Sequence, residues 1–176
     1  MSNFKKSVLV AAVLSLSAFA ANAADQGKGK VTFTGSIIEA PCSITSEAAD
    51  QVVELGQIST TSLANMGSSE PRSFSIGLEK CDVATMKNVS VTFDGTPDGV
   101  DAEMLKLIGL ADGAGIVITD EAGATIKRGV ASVGKTLDQG SNSLKFSAYL
   151  KGTSADEGSV VPGEFSSVAN FTLAYN

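Results

Sequence analysis

The chain has 176 residues, 13 Lys and Arg against 19 Asp and Glu, a net charge of −6, and neither histidine nor tryptophan. Lack of histidine removes the His-based nucleophile systems and nearly all zinc and copper sites. The acidic balance argues against nucleic acid, whose phosphates are met by clustered Lys and Arg.

Lys5 and Lys6 come first, followed by the uncharged, mostly apolar run SVLVAAVLSLSAFA (Ser7 to Ala20) and the small-x-small triplet Ala21-Asn22-Ala23. That order is a secretory signal peptide over 1–23, and the run is short for a membrane span. A retained N-terminal anchor is the competing reading. Cleavage before Ala24 takes the net charge from −6 to −8, because the leader holds two lysines and no acid.

A polar lead, ADQGKGK (Ala24 to Lys30), then opens onto VTFTGSII (Val31 to Ile38), whose apolar residues alternate with polar ones. Further short apolar stretches follow at CSIT (Cys42 to Thr45), QVVELGQI (Gln51 to Ile58), RSFSIGLE (Arg72 to Glu79) and VSVTF (Val89 to Phe93). GIVITD (Gly115 to Asp120), LKFSAYL (Leu144 to Leu150) and ANFTLAY (Ala169 to Tyr175) complete the series. Period-two alternation between turn signals predicts an antiparallel sandwich or barrel. Helical signal is confined to one turn in TTSLANMG (Thr60 to Gly67), with a Ser or Thr cap and a Gly stop. DAEMLKLIGL (Asp101 to Leu110) fits a helix or an irregular strand equally. With no repeat and no linker, the chain beyond the leader is one domain.

Two cysteines in an exported chain, Cys42 and Cys81, most simply form one disulfide. Closing a loop of that length stabilises by about 4 kcal/mol in the chain-entropy account. Two free thiols or a metal pair are the alternatives, and a metal pair without histidine is weak. Chemical motifs are otherwise poor. The acidic stretch Asp94 to Glu103 lacks the spacing of an EF-hand loop. Gly113 and Gly115 begin a dinucleotide-type loop that fails at Ile118. The carboxylates fall in turn-like stretches rather than as a pair across a cleft, so no catalytic constellation is expected.

The termini raise a question of pairing. ANFTLAY is a strand with no hairpin return in the sequence, so its second neighbour must come from elsewhere. The N-terminal strand can fold back to fill that place and give a closed monomeric sandwich. It can instead leave its own domain and add to another sheet's edge. If each subunit gives and receives a strand, the contact is heterologous and builds a fibre.

Beyond the leader the chain resembles the structural pilins of chaperone–usher (type 1/P-like) fimbriae of Gram-negative bacteria. The likeness rests on GKVTFTGSIIEAPCSI (Gly29 to Ile44), VVELGQIST (Val52 to Thr60), FSIGLEKC (Phe74 to Cys81) and VPGEFSSVANFTLAYN, with Gly163 fourteenth from the end and Tyr175 penultimate. It implies an all-β fold, an incomplete immunoglobulin-like (pilin) β-sandwich that lacks its seventh strand. The division implied is a donor-strand extension at 24–37 and a pilin domain at 38–176. Val31, Phe33, Gly35 and Ile37 are the implied donor residues; Gly35 departs from the apolar series, and in the family a glycine here fits a shallow pocket. Gly163, Phe171, Leu173 and Tyr175 are the implied acceptor, chaperone and usher residues.

The function so implied is structural: the major shaft subunit of a fimbria, polymerising head to tail with identical or related pilins by donor-strand exchange, for surface adhesion. Its partners would also include a periplasmic chaperone and an outer-membrane usher, and its route would run through the periplasm to the cell surface. No enzymatic activity, cofactor, metal or nucleic acid enters. The alternative is a secreted or periplasmic immunoglobulin-like module that binds carbohydrate or protein. It needs an exposed aromatic platform, hard to build without tryptophan and with Tyr149 and Tyr175 the only tyrosines. A two-domain tip adhesin would need more length.

Overall fold

The computed structural model describes residues 28–156 and 158–176. The expected leader, and residues 24–27 of the expected extension, lie outside the described residues. The chain divides into Met1–Ile37 and Ile38–Asn176. In the first unit, residues 28–37 are exposed and form neither helix nor strand. The strand expected over Val31–Ile38 is therefore absent: a strand exists only through hydrogen bonds to a neighbour, and alternation alone does not supply one.

In the second unit the strands are β1 (Ser43–Ile44), β2 (Arg72–Cys81), β3 (Asn88–Gly95), β4 (Leu105–Lys106), β5 (Ile108–Gly109) and β6 (Ala114–Asp120). They continue with β7 (Thr125–Ile126), β8 (Lys135–Thr136), β9 (Gly140–Gly152), β10 (Phe165–Ser166) and β11 (Ala169–Tyr175). One sheet runs β1-β2-β9-β6-β4 with β7 beside β6; a second runs β11-β3-β8; β10 and β5 form a ribbon. All named pairs are antiparallel.

Alternation decides which face is buried. Ile76 and Leu78 on β2, Val89, Val91 and Phe93 on β3, and Leu144 and Phe146 on β9 all point into one core. The rings of Phe74, Phe93 and Phe146 bridge the two sheets, with centroids 5.0–6.0 Å apart and edge-to-face contacts to Phe93. A second cluster gathers Leu63, Leu107, Ala114 and Leu150, with Leu55, Ile58 and Phe165 against it. Two sheets face to face over a shared core is the sandwich that the strand pattern predicts.

Three local expectations are refined. QVVELGQI pairs with no strand, although Val53, Leu55 and Ile58 are half-buried as its apolar spacing implies. TTSLANMG holds a turn of helix α2 (Thr60–Leu63), where the Ser59 hydroxyl accepts the Thr61 N–H, then a 3-10 turn ending with the Gly67 N–H on Ala64. A helix α1 (Ser46–Ala49) has no counterpart in the sequence reading. DAEMLKLIGL resolves toward the irregular strand: a turn closed by Met104 N–H to Asp101 C=O, then β4 and β5.

The acidic stretch serves its own turns. Asp98 accepts the N–H groups of Val100 and Asp101 at 2.8 and 3.1 Å, and Asp94 accepts that of Gly95 at 2.8 Å. These are local side-chain-to-backbone turn bonds. Cys42 and Cys81 are joined in a disulfide, which sets aside the free thiols and the metal pair. The bond ties the start of β1 to the end of β2, beside the register pair Ser43 and Glu79.

Candidate functional site: an open strand edge beside an apolar groove

β11 pairs with β3 along its whole length, from Ala169 opposite Gly95 to Tyr175 opposite Val89. Asn176 and Asn88 exchange both backbone bonds, at 3.0 and 2.9 Å. Antiparallel pairing alternates, so Ala174, Thr172 and Asn170 also bond toward β3. The N–H and C=O groups of Tyr175, Leu173 and Phe171 must then point to the opposite edge. Among the described residues they meet no hydrogen-bond partner there. The side chains of the same three residues are half-buried against the main core. Burial holds the Tyr175 hydroxyl above the usual tyrosine pKa.

A groove of about 1300 Å³ adjoins this edge. Its floor includes Phe74, Phe93, Leu105, Ile116, Ile118 and Leu150, drawn from both sheets. One wall is the unpaired stretch 48–58; the other is 160–171, which brings in Phe171 but not Leu173 or Tyr175. The charged lining residues are Asp50, Glu54, Asp112 and Glu164, with no Lys or Arg.

The second wall is fixed by backbone bonds. Val161 N–H donates to Asp112 C=O at 2.9 Å, Leu110 N–H to Glu164 C=O at 2.9 Å, and β10 pairs with β5. Gly163 sits within this clasp. A Cβ there would fall 2.7 Å from the Ala111 nitrogen and from Leu110, so only glycine lets the wall lie this close to 110–111.

The sequence-predicted acceptor residues thus share one region, Gly163 in the wall and the other three along the open edge. Val31, Phe33 and Ile37 stand exposed, Phe33 at 89 %, and a Cβ placed on Gly35 would meet open space, with nothing beyond its chain neighbours within 4 Å. Leu55 and Ile58 escaped the sequence reading as wall residues: QVVELGQI was expected to be an ordinary strand, and only its alternation signalled a buried side. Asp50 and Asp112 fall in turn-like stretches of the sequence, and nothing local marks them, or Glu54 and Glu164, as lining a common groove.

Such a fold is an immunoglobulin-like β-sandwich with one strand position left open. Residues 31–176 match the family model described as "Fimbrial protein". The chain is 57 % identical over 155 residues to the "Fimbria A protein" of Serratia marcescens, covering 88 % of each chain. To the "Major MR/P fimbria protein" of Proteus mirabilis it is 47 % identical, covering 92 % of each. Among solved structures, the P pilus rod subunit PapA aligns with a TM-score of 0.69 and 34 % identity, over 78 % of this chain and all of that one. A subunit in the structure of a chaperone–usher pilus gives 0.73 and 34 %, over 86 % and 97 %.

The chain belongs to the fimbrial protein family. It is a structural, non-enzymatic subunit of an extracellular fimbria, and it polymerises with other pilin subunits.

Proposed function

We propose that this chain is the major shaft subunit of a chaperone–usher fimbria and that it polymerises by donor-strand exchange. One observation carries the reading: an unpaired strand edge beside an apolar groove, in a chain that also holds an exposed alternating segment. Strand addition satisfies both at once, because backbone bonds close the edge and alternate side chains fill the groove. Val31, Phe33, Gly35 and Ile37 of one copy enter the groove of the next, while Phe171, Leu173 and Tyr175 offer their outward N–H and C=O groups. Because donor and acceptor are different surfaces, the contact is heterologous and propagates.

The relatives named as major fimbrial proteins support the shaft role. Before assembly the same open edge needs cover, since exposed edges template aggregation. A periplasmic chaperone that lends a strand, and an outer-membrane usher that exchanges it for the next subunit, meet that need. Residues 1–23 then act as the export signal, 24–37 as the donor extension and 38–176 as the pilin domain. Electron microscopy of cells with and without the gene tests the shaft role. Loss of the fibres is expected; a full fibre coat without the gene assigns the shaft to another subunit.

A further inference from the structure

We propose that the encounter between copies is steered by charge, with Lys30 of the incoming copy seated at Asp50 of the receiving groove. The proposal rests on the donor-strand reading above and adds to it a register and a salt dependence. Its first support is the one-signed lining: Asp50, Glu54, Asp112 and Glu164, without a Lys or Arg. Its second is the donor, where Lys30 directly precedes Val31 and is exposed.

Orientation follows from the two walls. Ile44 pairs with Leu78, Thr45 N–H donates to Gly77 C=O and the Gln51 side-chain amide to Ser75 C=O. The chain after β1 thus runs back along β2 from its Cys81 end, the end from which the chain turns to Lys87 and Asn88, whose N–H groups donate to Asn176. Leu55 and Ile58, further on, pack in the second cluster with Phe165. The stretch 48–58 therefore runs opposite to β11. A strand added antiparallel to β11, the more stable pairing per residue, runs alongside 48–58 in the same direction. Its N-terminal end lies by Asp50 and its Ile37 end by Ile58 and Phe165. The step from Lys30 to Ile37 covers about 24 Å when extended, and it is set against the eight residue steps from Asp50 to Ile58. The reverse orientation would take Lys30 to the Ile58 end and bring Ile37, with Glu39 two residues beyond it, to the Asp50 end.

Asp50 and Lys30 are both exposed. An exposed ion pair adds little to equilibrium affinity. A groove lined by one sign of charge chiefly raises the encounter rate, and salt screens the effect. The signature is therefore kinetic.

The test follows polymerisation of the full-length mature chain by light scattering, at low and at high salt. The variants are Lys30→Asp, Asp50→Lys, the two combined, and Phe33→Asp as a control, with thermal midpoints checking each fold. Each single charge variant should polymerise several-fold more slowly at low salt, on the order of 3–10-fold for a steering effect of this kind. The combined variant should recover most of the wild-type rate, and high salt should remove the differences. Failure of the combined variant to recover, or unchanged slowing at high salt, overturns the pairing. A wild-type chain that stays monomeric, with its own N-terminal segment filling the groove, overturns it as well. If Phe33→Asp polymerises normally, the donor-strand reading itself fails, which separates that failure from a failure of the charge pairing alone.

Discussion

Residues 31–37 and β11 have the same pattern and opposite circumstances. Val31, Phe33 and Ile37 alternate with polar residues just as Phe171, Leu173 and Tyr175 do. Yet the first set is exposed and unladdered, while the second is half-buried and holds a seven-residue register with β3. Alternation makes a segment competent to be a strand. Whether it becomes one depends on a neighbour, and here each segment lacks what the other can supply: one has no partner edge, the other has an edge left open.

The sharpest break in this comparison is a charge inside the donor. Phe33→Asp should leave the 38–176 unit folded and abolish fibres, because an unpaired carboxylate is costly to bury in an apolar groove. Fibre yield measured against subunit level checks it; normal fibres would remove Phe33 from the contact.

Bringing the two segments together in one molecule should have the next largest effect. In this chain, Gly29–Ile38 is joined after Asn176 by a flexible linker and deleted from its native place. It should fold as a monomer with a midpoint at least about 10 °C above a chain lacking any donor. Burying Val31, Phe33 and Ile37 is worth roughly 1.5–3 kcal/mol each, and each kcal/mol shifts a midpoint of a domain this size by about 2–8 °C. Equal, cooperative midpoints would mean that the sandwich is complete without a donor.

A smaller effect separates the anchor of the donor from its function. Replacing both Cys42 and Cys81 with alanine should lower unfolding free energy by about 2–4 kcal/mol in urea titration. The unreduced wild-type chain should show no alkylatable thiol by mass spectrometry. On the acceptor side, Gly163→Val should cost about 1–3 kcal/mol by forcing the wall off Leu110 and Ala111, and it should weaken fibre formation further than its stability loss alone.

The smallest expected effect lies at the far end of the pairing between β3 and β11. The Gly95 N–H and the Arg128 guanidinium, the latter at 2.6 Å, hold the Asp94 carboxyl below its ordinary pKa. A depressed carboxyl stabilises the fold above the ordinary carboxylate range and loses that contribution as pH falls through the lowered value. Asp94→Asn should therefore flatten the acid limb of the thermal midpoint against pH. Asp94 is exposed, so the change is slight, and an unaltered acid limb would show that the Gly95 and Arg128 contacts of the carboxylate contribute nothing to folding.

The long strands were legible because period two is a local signal. RSFSIGLE, VSVTF, LKFSAYL and ANFTLAY each state in their own residues which face is buried, and β2, β3, β9 and β11 obey. Export and a count of two made the disulfide legible as well. The one-turn helix at Thr60 was legible from the expected Ser or Thr cap and Gly stop, and in the structure Ser59 fills the cap. Nothing local could tell that QVVELGQI would lie along a groove without a ladder while ANFTLAY, no more apolar, would take one. That outcome depends on which strands the connections bring alongside, a property of residues far apart in the chain. The same holds for the acid-lined groove, whose walls come from 48–58 and 160–171 and whose floor comes from both sheets. Sequence alone determined which segments are able to pair and which side of each is apolar; only the tertiary structure decided which edge stays open, because a strand's neighbours are chosen by packing across the whole domain.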